Sequence, residues 1–160
     1  EPYQEINGVK HPFDERIIVN DIISKLSVKT NDTLMFNISS GTLVSTLIQS
    51  INKQNSNAIV NIYESSGSAS SSSDLIKTNQ KIKITVPSGE SRTYTLIVTG
   101  DTSGDGKVTI LDLLQLQKHL LGSSVLNSVQ LKSADTNLDG TTNILDLLRI
   151  QKHILGSIRL

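Results

Sequence analysis

Two stretches decide how this chain reads: DTSGDGKVTILDLLQLQKHLLG at residues 101–122 and DTNLDGTTNILDLLRIQKHILG at residues 135–156. They start 34 residues apart. They agree at roughly two positions in three, far beyond chance, so the last third of the chain is an internal repeat. Each copy passes from an Asp- and Gly-rich opening into a run with apolar residues at helical spacing. The linking segment LNSVQLKSA at 126–134 predicts a short helix bridging the two units. No Pro- or Ser-rich linker precedes Asp101. The strand-like Val98-Thr99 runs almost directly into it, which predicts that the repeat packs against what comes before.

In each opening, oxygen-bearing side chains alternate, a Gly stands sixth and an Asp twelfth. In the first copy these are Asp101, Ser103, Asp105, Gly106 and Asp112; in the second, Asp135, Asn137, Asp139, Gly140 and Asp146. This is the spacing of an EF-hand-type calcium loop. A hard divalent cation takes six or more oxygens, and a tight loop turns groups one, three and five inward together. Lys107 and Thr141, in seventh place, offer backbone carbonyls, and Thr109 and Asn143, in ninth, can hold a bridging water. Ser103 is a weaker ligand than Asn or Asp, so the first site is expected to be the weaker. An Asp-rich turn that merely caps each helix explains acids near the helix starts. It does not explain three alternating oxygen side chains before a Gly, twice over. Without cation, each loop crowds three carboxylates into a small volume, where like charges repel, and the second half of the apo chain is expected to be disordered.

After each loop the helical run carries more apolar surface than one buried face needs. Leu113, Leu116 and Leu120, with Leu147, Ile150 and Ile154, form stripes that can pack the helices together. A second stripe remains in each: Ile110, Leu114 and Leu121, and Ile144, Leu148 and Leu155, with Leu111 and Leu145 beside them. Either the preceding module covers this face, or it is a protein-binding surface. At about 1.5–3 kcal/mol per fully buried aliphatic side chain, three or four such residues can anchor a complex.

A calcium loop followed by a helix, twice, without the entering helix of a full EF-hand, resembles the dockerin family. Dockerins are calcium-binding modules (F-hand repeats) that attach enzymes and scaffold proteins of cellulosome-like assemblies to cohesin modules. The resemblance covers residues 101–156 and rests on the doubled loop, the twelfth-position Asp, the Leu pattern and a basic residue late in each helix. It implies two calcium ions and a cohesin partner. It also implies that cohesin specificity is read at Ile110, Leu111, Gln117 and Lys118, and in the second copy at Ile144, Leu145, Gln151 and Lys152. The apolar Ile-Leu pair departs from the Ser-Thr often found in enzyme-borne dockerins and fits a more hydrophobic interface. Because both copies present the same eight-residue code, the resemblance implies binding by either helix after a half-turn. His119 and His153 also repeat; a packing or rim position is expected rather than a metal role.

Up to about Gly100 the pattern is mainly that of short strands. Asp21–Val28, Thr33–Ile38, Ala58–Tyr63, Lys81–Val86 and Thr93–Val98 fit, most of them alternating apolar and polar residues. Pro87-Ser88-Gly89-Glu90 predicts a hairpin between the last two. Within Thr42–Ile51, Leu43, Val44, Leu47, Ile48 and Ile51 fall at helical spacing instead. These elements predict an α+β module, one helix on a mixed or antiparallel sheet, with a β-sandwich as the competitor. The serine-rich run 65–73 is expected to be a mobile surface loop. By position and pattern the module is similar to the X modules that often precede dockerins. The expected architecture is thus a β-rich α+β domain at 1–99 and an all-α dockerin of two calcium loop–helix repeats at 100–160.

Composition narrows the function classes. Fifteen Lys plus Arg balance fifteen Asp plus Glu among 160 residues, which gives no footprint for nucleic acid or a polybasic membrane anchor. There is no Cys, hence no disulfide, thiol nucleophile or thiolate zinc site. No Gly-rich phosphate loop or Ser/His/Asp set appears, and His11 stands alone, so an enzyme is not expected. A carbohydrate-binding module at 1–100 would lack Trp for sugar stacking. A free calcium sensor would need an adaptable Met-rich surface, and Met35 is the one Met. No apolar run approaches a membrane span. The chain opens at Glu1-Pro2 without an initiator Met or signal-peptide pattern and reads as a piece of something larger. The function expected is that of a secreted or surface-attached, calcium-loaded adaptor for polysaccharide-degrading assemblies. The alternatives are an EF-hand-like extracellular calcium module with a partner other than a cohesin, or an N-terminal carbohydrate-binding module.

Overall fold

The computed structural model describes residues 3–6 and 9–12 as strand backbone and residues 18–160 in full. Alternation builds the sheet. In β6 (Lys81–Thr85), Ile82 and Ile84 are buried while Lys81 and Lys83 stand in solvent. β7 (Ser91–Val98) begins exposed and ends with five consecutive buried residues, Tyr94 to Val98. Such a run suits a central strand covered on both faces. β6 and β7 are antiparallel, and the turn between them closes with the Val86 N–H donating to the Glu90 carbonyl at 3.0 Å. Gly89 sits there at φ 91°, a conformation that disfavours any side chain.

The strands β3 (Lys29–Thr30), β4 (Leu34–Ile38), β5 (Ile59–Tyr63), β6 and β7 form one sheet in the order β3-β4-β7-β6-β5. β4 and β7 are parallel and the other pairs antiparallel, so the sheet is mixed and the architecture is α+β, not a sandwich. Among the described residues β1 (Tyr3–Ile6) and β2 (Val9–Pro12) pair only with each other; His11 lies in β2, its side chain outside the described residues. α1 (Val19–Ile23) replaces the first expected strand. Val19, Ile22 and Ile23 recur at i, i+3 and i+4 and are buried, and the Asp21 carboxylate accepts the Ile18 N–H at 2.9 Å. Val19, which completes the helical period, lies ahead of the expected strand Asp21–Val28.

α2 (Val44–Gln54) buries Val44, Leu47 and Ile51 in the sheet's core. The N–H groups of its first two residues are taken by the end of the serine-rich segment and the residue after it: the Val44 N–H donates to the Asp74 carbonyl at 2.9 Å and the Ser45 N–H to the Ser72 carbonyl at 3.1 Å. That segment is exposed, as its composition predicts, but it is tied to its surroundings. Ser70 donates its N–H to the Ile62 carbonyl and its hydroxyl to Glu64.

Beyond Gly100 come α3 (Ile110–Leu120), α4 (Ser128–Ala134) and α5 (Ile144–Ile154). α4 is the expected bridging helix. Leu116, Leu126, Ala134, Ile150 and Leu160 form an apolar cluster separate from the one on the sheet. The two meet at a polar seam against the end of β7. Ser133 donates its hydroxyl to the Val98 carbonyl at 2.7 Å, the Gly100 N–H donates to the Ser133 carbonyl at 2.8 Å, and the Lys132 ammonium lies 3.9 Å from the Phe36 ring centroid. Among the described residues no helix is long and apolar enough to cross a membrane.

Candidate metal centre and apolar helix face

Each loop is organised by its first and twelfth residues. Asp101 is fully buried. Its Oδ1 accepts the N–H groups of Gly104 and Asp105, both at 3.1 Å, and its Oδ2 those of Gly106 and Thr78, both at 3.0 Å. Asp112 closes the loop onto the helix, with Oδ1 accepting the Ser103 N–H at 2.8 Å and Oδ2 the Thr109 N–H at 2.8 Å. Thr109 in turn caps α3 through the Leu111 N–H. The capping box and the twelfth loop position are therefore one residue in two roles.

The second loop repeats this. Asp135 accepts from Asp139 and Gly140 at 3.2 and 3.0 Å, and Asp146 from Thr136 and Asn143 at 3.0 and 2.9 Å. Asn143 caps α5 as Thr109 caps α3. Ser103 and Asn137 stand beside these carboxylates, Ser103 with its hydroxyl 3.4 Å from Asp101 and Asn137 with its amide 3.0 Å from Asp139. Lys107 and Thr141 are exposed and donate their N–H groups to Asp105 and Asp139, both at 2.9 Å.

Asp101, Asp105 and Asp112 each place a carboxylate oxygen within 4.8 Å of the others, the one acidic trio gathered so closely among the described residues. Burial pushes the Asp101 carboxyl up to about 6; the Thr78 and Gly106 N–H groups oppose this, while the Asp112 and Asp105 charges add to it. In the second loop Asp139 is exposed, and the Thr141 N–H and hydroxyl hold its carboxyl below the ordinary range. The donors are oxygens alone, without nitrogen or sulfur, which suits a hard cation such as calcium and not zinc. A divalent charge among three carboxylates would replace their mutual repulsion by attraction. The residues present fit calcium.

The helices divide their apolar residues sharply. Leu116 and Ile150 are fully buried between α3 and α5, with Leu113 and Leu147 packed beside them; Leu120 and Ile154 remain over a third exposed. The other stripe is open, not covered by the sheet module. Ile110, Leu111, Leu114 and Leu121 are 53, 55, 41 and 73% exposed; Ile144, Leu145, Leu148 and Leu155 are 56, 54, 43 and 73% exposed. Gln117, Lys118, Gln151 and Lys152 are exposed on the same helices.

Two repeated residues hold the scaffold in ways that composition did not reveal. His119 Nδ1 accepts the Leu126 N–H at 3.2 Å and His153 Nδ1 the Leu160 N–H at 3.1 Å, each pinning the chain that leaves its helix. Thr136, in second place of its loop, gives both N–H and hydroxyl to Asp146. Identity between the copies was the available signal for all of these. Thr78, from the other module, had none.

Residues 99–155 match the family model described as the dockerin type I domain. Neither the curated proteins nor the solved structures contain a match to the chain. The match supports a dockerin module in the C-terminal part; dockerin modules are non-catalytic and dock to cohesins in a calcium-dependent way.

Proposed function

We propose that this chain is an extracellular adaptor whose dockerin module, with one calcium ion in each loop, docks its parent protein onto a cohesin of a cellulosome-like, polysaccharide-degrading assembly. The observation that carries the reading is the matched pair of open apolar stripes, each beginning at the helix end that a metal loop fixes. The ligands are assigned to Asp101, Ser103, Asp105, Asp112 and the Lys107 carbonyl, and to Asp135, Asn137, Asp139, Asp146 and the Thr141 carbonyl. Bound calcium supplies positive charge that offsets the gathered carboxylates. Everything else is done by the protein. Asp112 and Asp146 tie the loops to the first turns of α3 and α5, so an ordered loop orients Ile110, Leu111, Ile144 and Leu145.

The contact surface is Ile110, Leu111, Leu114 and Leu121 with Gln117 and Lys118 at the rim, or the equivalent Ile144, Leu145, Leu148 and Leu155 with Gln151 and Lys152. Paired exposures that differ by no more than 3 percentage points support either helix meeting the same cohesin face. Residues 1–99 act as an X-module-like unit that supports and spaces the all-α dockerin at 100–160; the seam at Val98, Gly100 and Ser133 supports that division of labour. The test is retention on an immobilised panel of cohesins in millimolar calcium and release by chelator. Retention by at least one cohesin, reversed by chelator, is expected; passage over every cohesin in calcium would overturn the reading.

A further inference from the structure

The two loops are alike in sequence but not in surroundings. The Gly140 face is open: a Cβ added there would meet nothing within 4 Å. At Gly106, with the same backbone twist (φ 86° against 85°), an added Cβ would lie 3.0 Å from Leu75 Cβ and 3.1 Å from the Ile76 carbonyl oxygen. At Gly104 it would lie 3.2 Å from the Thr78 carbonyl oxygen. The first loop is therefore seated on segment 75–78 of the sheet module, and the second is not. Its Asp101 takes an N–H from Thr78 that Asp135 has no counterpart for among the described residues.

Thr78 is itself bound into the sheet. Its hydroxyl accepts the Val98 N–H at 3.0 Å and lies 3.3 Å from the Val98 carbonyl, at the end of the central strand β7. A continuous path runs from the first loop's leading carboxylate through one buried residue to the middle of the sheet.

We propose that segment 75–78 is a wall of the first calcium loop, so that calcium held by the first loop stabilises the sheet module and calcium held by the second does not. The inference rests on the calcium reading above. Coupling of this kind is reciprocal: if calcium in the first loop steadies segment 75–78, that segment raises the loop's affinity by the same factor. The first loop's affinity is thereby raised by the neighbouring module, in addition to whatever its own ligands set, while the second loop depends on its ligands alone.

Amide hydrogen exchange on the full chain, with and without calcium, tests this, alongside calorimetric titration of calcium. Asp105→Ala disables the first loop without touching the sheet module, and Asp139→Ala disables the second. Calcium should slow exchange across residues 76–80 by about tenfold in the unaltered chain, a typical coupling. Asp139→Ala should keep that slowing and Asp105→Ala should lose it. Gly106→Ala and Gly140→Ala share the same backbone strain and differ in contact with the sheet module. Only the first should lose the slowing. Calcium binding with equal slowing in both Asp variants would overturn the coupling alone. No calcium uptake by the unaltered chain would overturn the calcium reading, and the coupling with it.

Discussion

Replacing Ile110 and Leu111 by Glu tests the claim that either helix can serve. Both side chains keep a little over half their surface exposed. Burying the remainder recovers about half of the 1.5–3 kcal/mol of a full burial, so the pair contributes about 2 kcal/mol to one docking orientation. A carboxylate pushed into an apolar contact costs more still. The substitution does not threaten the helix, because these are the first two positions of α3 after the Thr109 cap, where acidic groups are favourable. If both orientations are equally populated, losing one removes half the bound states, about 0.4 kcal/mol or a factor of two in Kd. Adding Ile144→Glu and Leu145→Glu removes the spared orientation as well, and affinity should fall by at least about thirtyfold, the equivalent of 2 kcal/mol. Calorimetry with one cohesin and the three proteins reads this directly. A tenfold loss from the first pair alone would refute dual-mode docking.

Chelation should remove far-UV helical signal from α3 to α5 while the sheet core around buried Tyr94 and Leu96 persists, since the two apolar clusters are separate; dichroism unchanged by chelator would contradict it. His153→Phe leaves the Leu160 N–H without its acceptor, an expected loss of about 1 kcal/mol. In calcium-saturated protein that lowers Tm by about 2–4 °C for a chain of this size. Glu64 is held below its ordinary value of 4.5, chiefly by the Ser70 hydroxyl and further by Gln80 and Lys77, against the opposing effect of burial. The unfolded chain therefore takes up a proton first, so this stability is present above pH 4.5 and is lost as pH falls through the folded value. Thermal unfolding should show a shallower acid loss for Glu64→Gln than for the unaltered chain; parallel curves would sink that assignment.

The parts legible beforehand are those written locally. Ile82 and Ile84 alternate with lysines, Val44, Leu47 and Ile51 recur at helical spacing, and Pro87–Glu90 marks a turn; each lies where its pattern predicts. The doubled loop is legible for the same reason, because a calcium loop is a local arrangement of residues. What escaped is non-local or too short. The parallel pairing of β4 with β7 spans two strands and a helix, and no residue in either strand encodes it. β3 has two residues, too few for a period to show. α1 was hidden by adjacent Ile22 and Ile23, which read equally as part of a strand. The seating of the first loop on Leu75–Thr78 brings together segments more than 20 residues apart and has no motif at either end.

The most direct measurement is calorimetric titration of the chain into a cohesin panel, once in millimolar calcium and once with chelator. The account predicts tight one-to-one binding to at least one cohesin in calcium and none with chelator. Calcium uptake without heat from any cohesin would contradict it, and would leave the repeat as a calcium module whose open stripes meet a different partner.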